Sequence, residues 1–127
     1  EMYNVIVSMT KKLMADVPFK DVIATGTCLQ NLRTSSLNNS MCLTRDGYHM
    51  DYGISRYAAA CMMFEKLISP SFDNVKLDTN AYRYNVSNTT SGSYSTPVTD
   101  ANAPIALQAA RYALETPYVV TDMKYNQ

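Results

Sequence analysis

The chain has a single histidine, His49, and it stands in the run Arg45-Asp46-Gly47-Tyr48-His49-Met50-Asp51. An aspartate three residues ahead of a histidine, in a loop just before a helix, can fold back so that its carboxylate meets the ring Nδ1. That contact fixes the tautomer, leaves Nε2 to accept a proton and stabilises the imidazolium formed afterwards. Gly47 supplies the backbone freedom so tight a loop needs. Asp46 is therefore the candidate orienter and His49 the candidate general base and acid. Asp51 is a rival carboxylate, but its place directly ahead of a helix assigns it to an N-cap. By spacing alone Asp-x-x-His is a weak motif, since a histidine near a helix start is more often a surface or capping residue. One imidazole with two carboxylates is a poor transition-metal set, so no metal and no other cofactor is expected.

The elements that must position this loop are read from periodicity. Met2, Ile6, Met9 and Leu13 recur at helical spacing and predict an amphipathic helix over 2–16, stopped before Pro18. Residues 21–26, Asp-Val-Ile-Ala-Thr-Gly, read as a short buried strand of a parallel sheet. The stretch 27–48 has no clear period and reads as a long connection. A strong helix follows over about 52–68, its stripe formed by Ile54, Tyr57, Ala58, Cys61, Phe64 and Ile68, with flanking Ala and Met predicting burial on most sides. Residues 69–98 are rich in Ser, Thr, Asn and Tyr and read as a surface insertion, with one edge strand suggested by Tyr82, Tyr84 and Val86. A last helix over about 102–115 carries Pro104 in its first turn and Ile105, Ala109, Tyr112 and Ala113 on its inner face. Val119 and Val120 suggest a final short strand.

This order suits an α/β layered domain. One parallel strand is too little for a complete sheet, so partner strands are expected from another segment of the same parent protein. The chain opens with Glu1-Met2-Tyr3 rather than an initiator Met, which also points upstream.

The 127 residues suffice for one domain with its own core. Eleven basic and eleven acidic side chains cancel, and no Lys/Arg cluster marks nucleic acid or an anionic membrane as a partner. No stretch reads as a membrane span or signal peptide. Cys28, Cys42 and Cys61 are an odd number without a C-x-x-C, and read as small buried apolar residues rather than redox or zinc ligands.

Leu43-Thr44-Arg45-Asp46-Gly47-Tyr48-His49, running into Tyr52-Gly53-Ile54-Ser55-Arg56-Tyr57-Ala58-Ala59-Ala60-Cys61, resembles the last conserved block of SGNH/GDSL hydrolases, in particular an uncharacterised bacterial branch. Gly26-Thr27, Gln30-Asn31-Leu32-Arg33-Thr34-Ser35 and Pro117-Tyr118-Val119-Val120-Thr121-Asp122-Met123 resemble that branch too, in the same order. The resemblance implies that residues 1–127 are the C-terminal portion of a three-layer α/β/α sandwich around a parallel sheet, with a surface insertion near 69–98. It implies a serine esterase acting by acyl transfer on a small-molecule or glycan ester, in a secreted or periplasmic setting. Asp46 and His49 would complete its triad. The Gly-Asp-Ser-like block with the nucleophile and the Gly-x-Asn-Asp block of the oxyanion hole do not occur here. Loss of a triad nucleophile costs about 10⁶ in turnover, so the segment alone is expected to be inactive. Gln30, Asn31 and Arg33 follow the expected strand, where open parallel sheets place ligands, and are candidate substrate-binding residues. For Arg33 a loop-bracing role is an equal reading. The alternative for the whole chain is a non-catalytic carbohydrate-binding or structural module on a hydrolase scaffold.

Overall fold

A computed structural model describes residues 1–39, 43–72 and 96–124. Among these residues the protein is helical and forms no strand; the only β pairing is an isolated antiparallel bridge between Thr44 and Met50. This overturns the expected parallel-sheet α/β sandwich. Helix α1 spans Met2–Asp16, α2 Thr25–Thr34, α3 Ile54–Met63 and α4 Ala103–Glu115. Short 3-10 turns cover Ser36–Asn39 and Ser69–Phe72, and a π-helical turn, Phe64–Ile68, extends α3.

Helices α2, α3 and α4 pack pairwise around one core. Its centre is Cys28 and Leu32 from α2, Ile54, Ala58, Cys61 and Met62 from α3, and the small-residue face of α4. That face is Ala106, Ala109, Ala110 and Ala113, at i, i+3, i+4 and i+7, all buried. Small side chains let α4 approach two neighbours at once, so the broader Ile105 and Tyr112 sit at the edges, half-buried, rather than on the inner face. Asn102 starts the helix: its Oδ1 accepts from Thr99 N at 2.8 Å while its own amide N donates to Thr99 Oγ1 at 3.3 Å.

The 21–26 segment is not a strand. Thr25 N bonds to Ile23 O two residues back, curling the chain, and Thr25 and Gly26 already belong to α2. The expected connection after it is this helix and the 3-10 turn. Its apolar signal is thin because a buried Asn31 takes a core position between Cys28 and Leu32. Thr27, Asn31 and Thr34 form a polar stripe one helical turn apart that fastens the C-terminal segment. Thr27 Oγ1 donates to Pro117 O (2.6 Å), Asn31 Oδ1 accepts from Thr121 N (2.8 Å), and Thr34 Oγ1 accepts from Met123 N (2.8 Å). The backbone at Val119 and Val120 is spent on this tail, which turns at Thr116–Val119 instead of forming a strand.

Two further expectations shift. In α3 the stripe is right as far as Cys61, but the π-helical turn adds a residue per turn and moves the register on. Ser69 is consequently buried where Ile68 was expected, and Ile68 and Met63 are exposed. In α1 the bounds are as read, yet Met2, Ile6, Met9 and Leu13 are all exposed rather than packed in the core, Met2 and Ile6 lying along an open cavity between α1 and α2. The adjacent face, Tyr3, Val7, Thr10 and Met14, is half-buried, with Tyr3 Oη bonded to Thr27 Oγ1 at 3.0 Å.

The ends of the presumed insertion are part of the body, since Ser69, Thr96 and Val98 are buried; residues 73–95, with the suggested strand at Tyr82–Val86, lie outside the described residues. Cys28 and Cys61 are free and buried, and burial pushes their thiols up to about 12 and about 11. Both are inert at neutral pH. Cys42 lies outside the described residues.

Asn31 is wholly buried, and its Nδ2 also donates to Ala109 O at 3.2 Å, so both ends of the amide join α2 to other parts of the chain. Asn31→Ala leaves Thr121 N without its acceptor and is expected to cost about 1–3 kcal/mol. A urea titration reads this as a lowered midpoint at unchanged slope; an unchanged midpoint contradicts the role.

Candidate functional site

The Asp46–His49 loop is the tip of a small hairpin. Asp51 N donates to Leu43 O (3.1 Å) and Arg45 N to His49 O (3.0 Å), closing residues 43–51 on themselves. Asp46, Gly47 and Tyr48 then turn the corner, and Gly47 does so at φ +86°, a conformation that L side chains rarely adopt. Asp46 ties the corner from inside. Its Oδ1 accepts from Tyr48 N (3.0 Å) and His49 N (2.7 Å), which leaves Oδ2 for the ring.

Oδ2 lies 2.5 Å from His49 Nδ1. The His49 amide first, then the His49 ring and the Tyr48 amide, hold the Asp46 carboxyl well below the usual carboxylate range. An ionised carboxylate can only accept, so the shared proton belongs to Nδ1 and the lone pair of the neutral ring sits on Nε2. Because the folded-state value is depressed, the stabilisation this contact gives is present above the ordinary aspartate range near about 4 and is lost only as pH falls below it. The side chains are 65% and 45% exposed, so the pair adds little to stability. Its contribution is orientation.

His49 stands at the rim of an open recess of about 440 Å³, whose other walls are Arg45, Met50, Arg56, Ala59, Ala60 and Met63. The two arginines flank Tyr52: the Arg45 guanidinium lies 4.7 Å and that of Arg56 4.2 Å from the ring centroid, and Arg45 Nη1 also donates to Tyr52 Oη. The recess therefore pairs a proton acceptor with fixed positive charge. Arg45 and Arg56 are functional candidates that spacing did not single out. Their signal is present only in hindsight, as cations on either side of one aromatic at the start of α3.

The base of the hairpin is held by the buried Asp51, which is not the N-cap residue expected: α3 starts at Ile54 with Gly53 as its N-cap, and Asp51 reaches the first turn from two residues further out. Its Oδ1 accepts from Ser55 N (2.7 Å), and its Oδ2 from Gly53 N (2.7 Å) and Thr96 N (2.9 Å). Burying a carboxylate is costly unless hydrogen bonds replace its water, and three amides do so. Ser55 Oγ donates to Leu43 O (2.8 Å) and Ile54 N to Thr96 O (3.0 Å), locking hairpin, helix start and the 96–98 segment together.

The substrate-binding candidates separate. Gln30 and Arg33 line a second cavity, between α1 and α2, whose wall includes Gly47 and Tyr48 of the same hairpin tip. Asn31 does not join them, because it faces the core as a structural amide. Among the described residues no three His, Cys, Asp or Glu side chains gather as a metal site. No helix among them is long and apolar enough to cross a membrane.

Residues 1–100, which include the hairpin, its buried anchor and α3, match the family described as Domain of unknown function (DUF4886). The chain belongs to that family. No curated protein and no solved structure matches this DUF4886 chain.

The anchor makes one glycine irreplaceable and leaves another free. A Cβ on Gly53 would fall 1.8 Å from Thr96 O, whereas one on Gly26 meets nothing within 4 Å. Gly53→Ala is expected to cost roughly 3 kcal/mol through displaced backbone. Gly26→Ala, in helix α2, is expected to gain about 0.5–1 kcal/mol. Thermal melts of the two variants check this, and equal melting temperatures contradict it.

Proposed function

We propose that this chain supplies the proton relay of an SGNH-type serine esterase. The observation that supports the reading is the 2.5 Å contact between Asp46 Oδ2 and His49 Nδ1 at the rim of an open recess. The likeness of residues 43–61 to the last block of SGNH hydrolases supports it as well. The reading borrows no sheet from that superfamily and rests on the relay.

In this reading His49 Nε2 takes the proton of a serine hydroxyl as that oxygen attacks an ester carbonyl. Asp46 stabilises the imidazolium through Nδ1. The proton then passes to the leaving alcohol, and a water activated by the same nitrogen releases the acid. The serine stands on a segment outside these 127 residues, since no Gly-Asp-Ser-like block occurs within them. Arg45 and Arg56, on the recess His49 borders, offer positive charge where an oxyanion develops. The substrate class is an acyl ester, with acylated carbohydrates among the superfamily's usual substrates.

The test is made on the whole native protein that carries this chain, with a fluorophosphonate probe and p-nitrophenyl esters. One serine is labelled in the wild type. His49→Ala lowers kcat by about 10⁶ and Asp46→Asn by about 10⁴, with KM little changed. The isolated 127 residues do not turn over. Absence of a labelled serine, or labelling and turnover indifferent to His49→Ala, contradicts the esterase. Sugar binding that survives His49→Ala in such a protein would favour the carbohydrate-binding alternative.

A further inference from the structure

Helices α1 and α2 enclose a cavity of about 310 Å³, within the range of small-molecule sites. Its floor on α2 is Gly26, Leu29, Gln30 and Arg33, at i, i+3, i+4 and i+7, one face of the helix followed along its length. From Gly26 to Arg33 this face runs roughly 10 Å. The α1 wall, including Met2, Ile6 and Thr10, repeats at the same helical step. Two such rows side by side make a slot, long in one direction, and most of its surface is apolar.

Its charge is one-sided. Arg33 is the single charged residue in the lining, and no Asp or Glu accompanies it. The Arg33 side chain is exposed and makes no hydrogen bond or ion pair to another described residue, so its five donors are available. Gly26 leaves room at the other end of the row, with nothing within 4 Å of where a Cβ would stand.

We infer that the slot between α1 and α2 binds a medium-length aliphatic carboxylate, its chain along Ile6, Gly26 and Leu29 and its head on Arg33 and Gln30. A linear apolar channel selects an unbranched chain. A lone guanidinium with an adjacent amide selects a planar anionic head, which Arg grips through two parallel N–H bonds. The inference goes beyond the proposed esterase: binding of a free carboxylate requires neither His49 nor a serine. The hairpin tip, Gly47 and Tyr48, forms part of the slot wall, so an occupied slot lies against the loop that carries the relay.

Sodium decanoate is titrated into the 127-residue chain below its micelle-forming concentration, by calorimetry and by amide NMR. Saturable one-site binding is expected, with the Gly26, Leu29 and Arg33 amides shifting. Arg33→Gln weakens it about tenfold or more, and 1-decanol and acetate, lacking head and chain respectively, bind at least as much more weakly than decanoate. Gly26→Phe fills the slot and abolishes binding, with circular dichroism showing the helix content retained. Arg33→Gln changes only an exposed side chain, so it keeps the test valid even if Gly26→Phe unfolds. No saturable binding, or decanoate affinity unchanged in Arg33→Gln, overturns the inference, while the same protein carrying His49→Ala should bind decanoate as the wild type does.

Discussion

Asp51 has no exposed surface, and each of its oxygens is committed to backbone. Three amides from three places in the chain, Gly53, Ser55 and Thr96, converge on one carboxylate, while its own amide closes the hairpin onto Leu43. A buried carboxylate without such donors would cost on the order of several kcal/mol, so the three contacts are coupled: if one amide leaves, the other two hold a badly solvated group. The absolute need for glycine at position 53 follows from the same convergence, because Thr96 comes in against bare backbone there. The candidate site is therefore built outward from a fixed point. Asp51 sets the base of the hairpin, Leu43 and Thr44 pair with Met50 and Asp51, and only the corner is left to Asp46.

At that corner the carboxylate is used in the opposite sense. Asp46 is exposed, adds little to stability and spends one oxygen on folding the loop and the other on orienting the ring. One aspartate of the run organises the fold and the other orients an imidazole. Burial makes the difference between them. The hairpin borders two hollows, one lined by His49, Arg45 and Arg56 and one with Arg33 at the end of an apolar slot. A single hairpin thus touches both the recess proposed for proton transfer and the slot proposed for an aliphatic chain.

Much of this was readable from residue types. Helices over Met2–Asp16 and Ala103–Glu115 and the core of α3 follow from spacing, Pro positions and caps, and the Asp46–His49 contact follows from a three-residue separation and one glycine. Three things were not readable, each for a physical reason. Helix α2 was hidden because Asn31 occupies a core position; a polar residue there looks like a loop until its partners, Ala109 and Thr121, both far along the chain, are known. The short apolar run 21–24 then mimicked a strand, since a run that short has no period of its own. The facing of Ile68 was lost to a π turn, which no local pattern announces. The exposed apolar stripe of α1 is the remaining case, because amphipathicity tells which residues are apolar and not what covers them.

Asp46 holds the proton of His49 on Nδ1 and so leaves the Nε2 lone pair open. Long-range ¹H–¹⁵N correlation spectra of the imidazole, recorded on the wild type and on Asp46→Asn above the pH at which the ring is neutral, report the tautomer directly. An Nδ1-protonated ring is expected in the wild type and a shift toward the Nε2-protonated form in the variant. A wild-type ring already protonated on Nε2, or a tautomer balance that ignores Asp46→Asn, would contradict it.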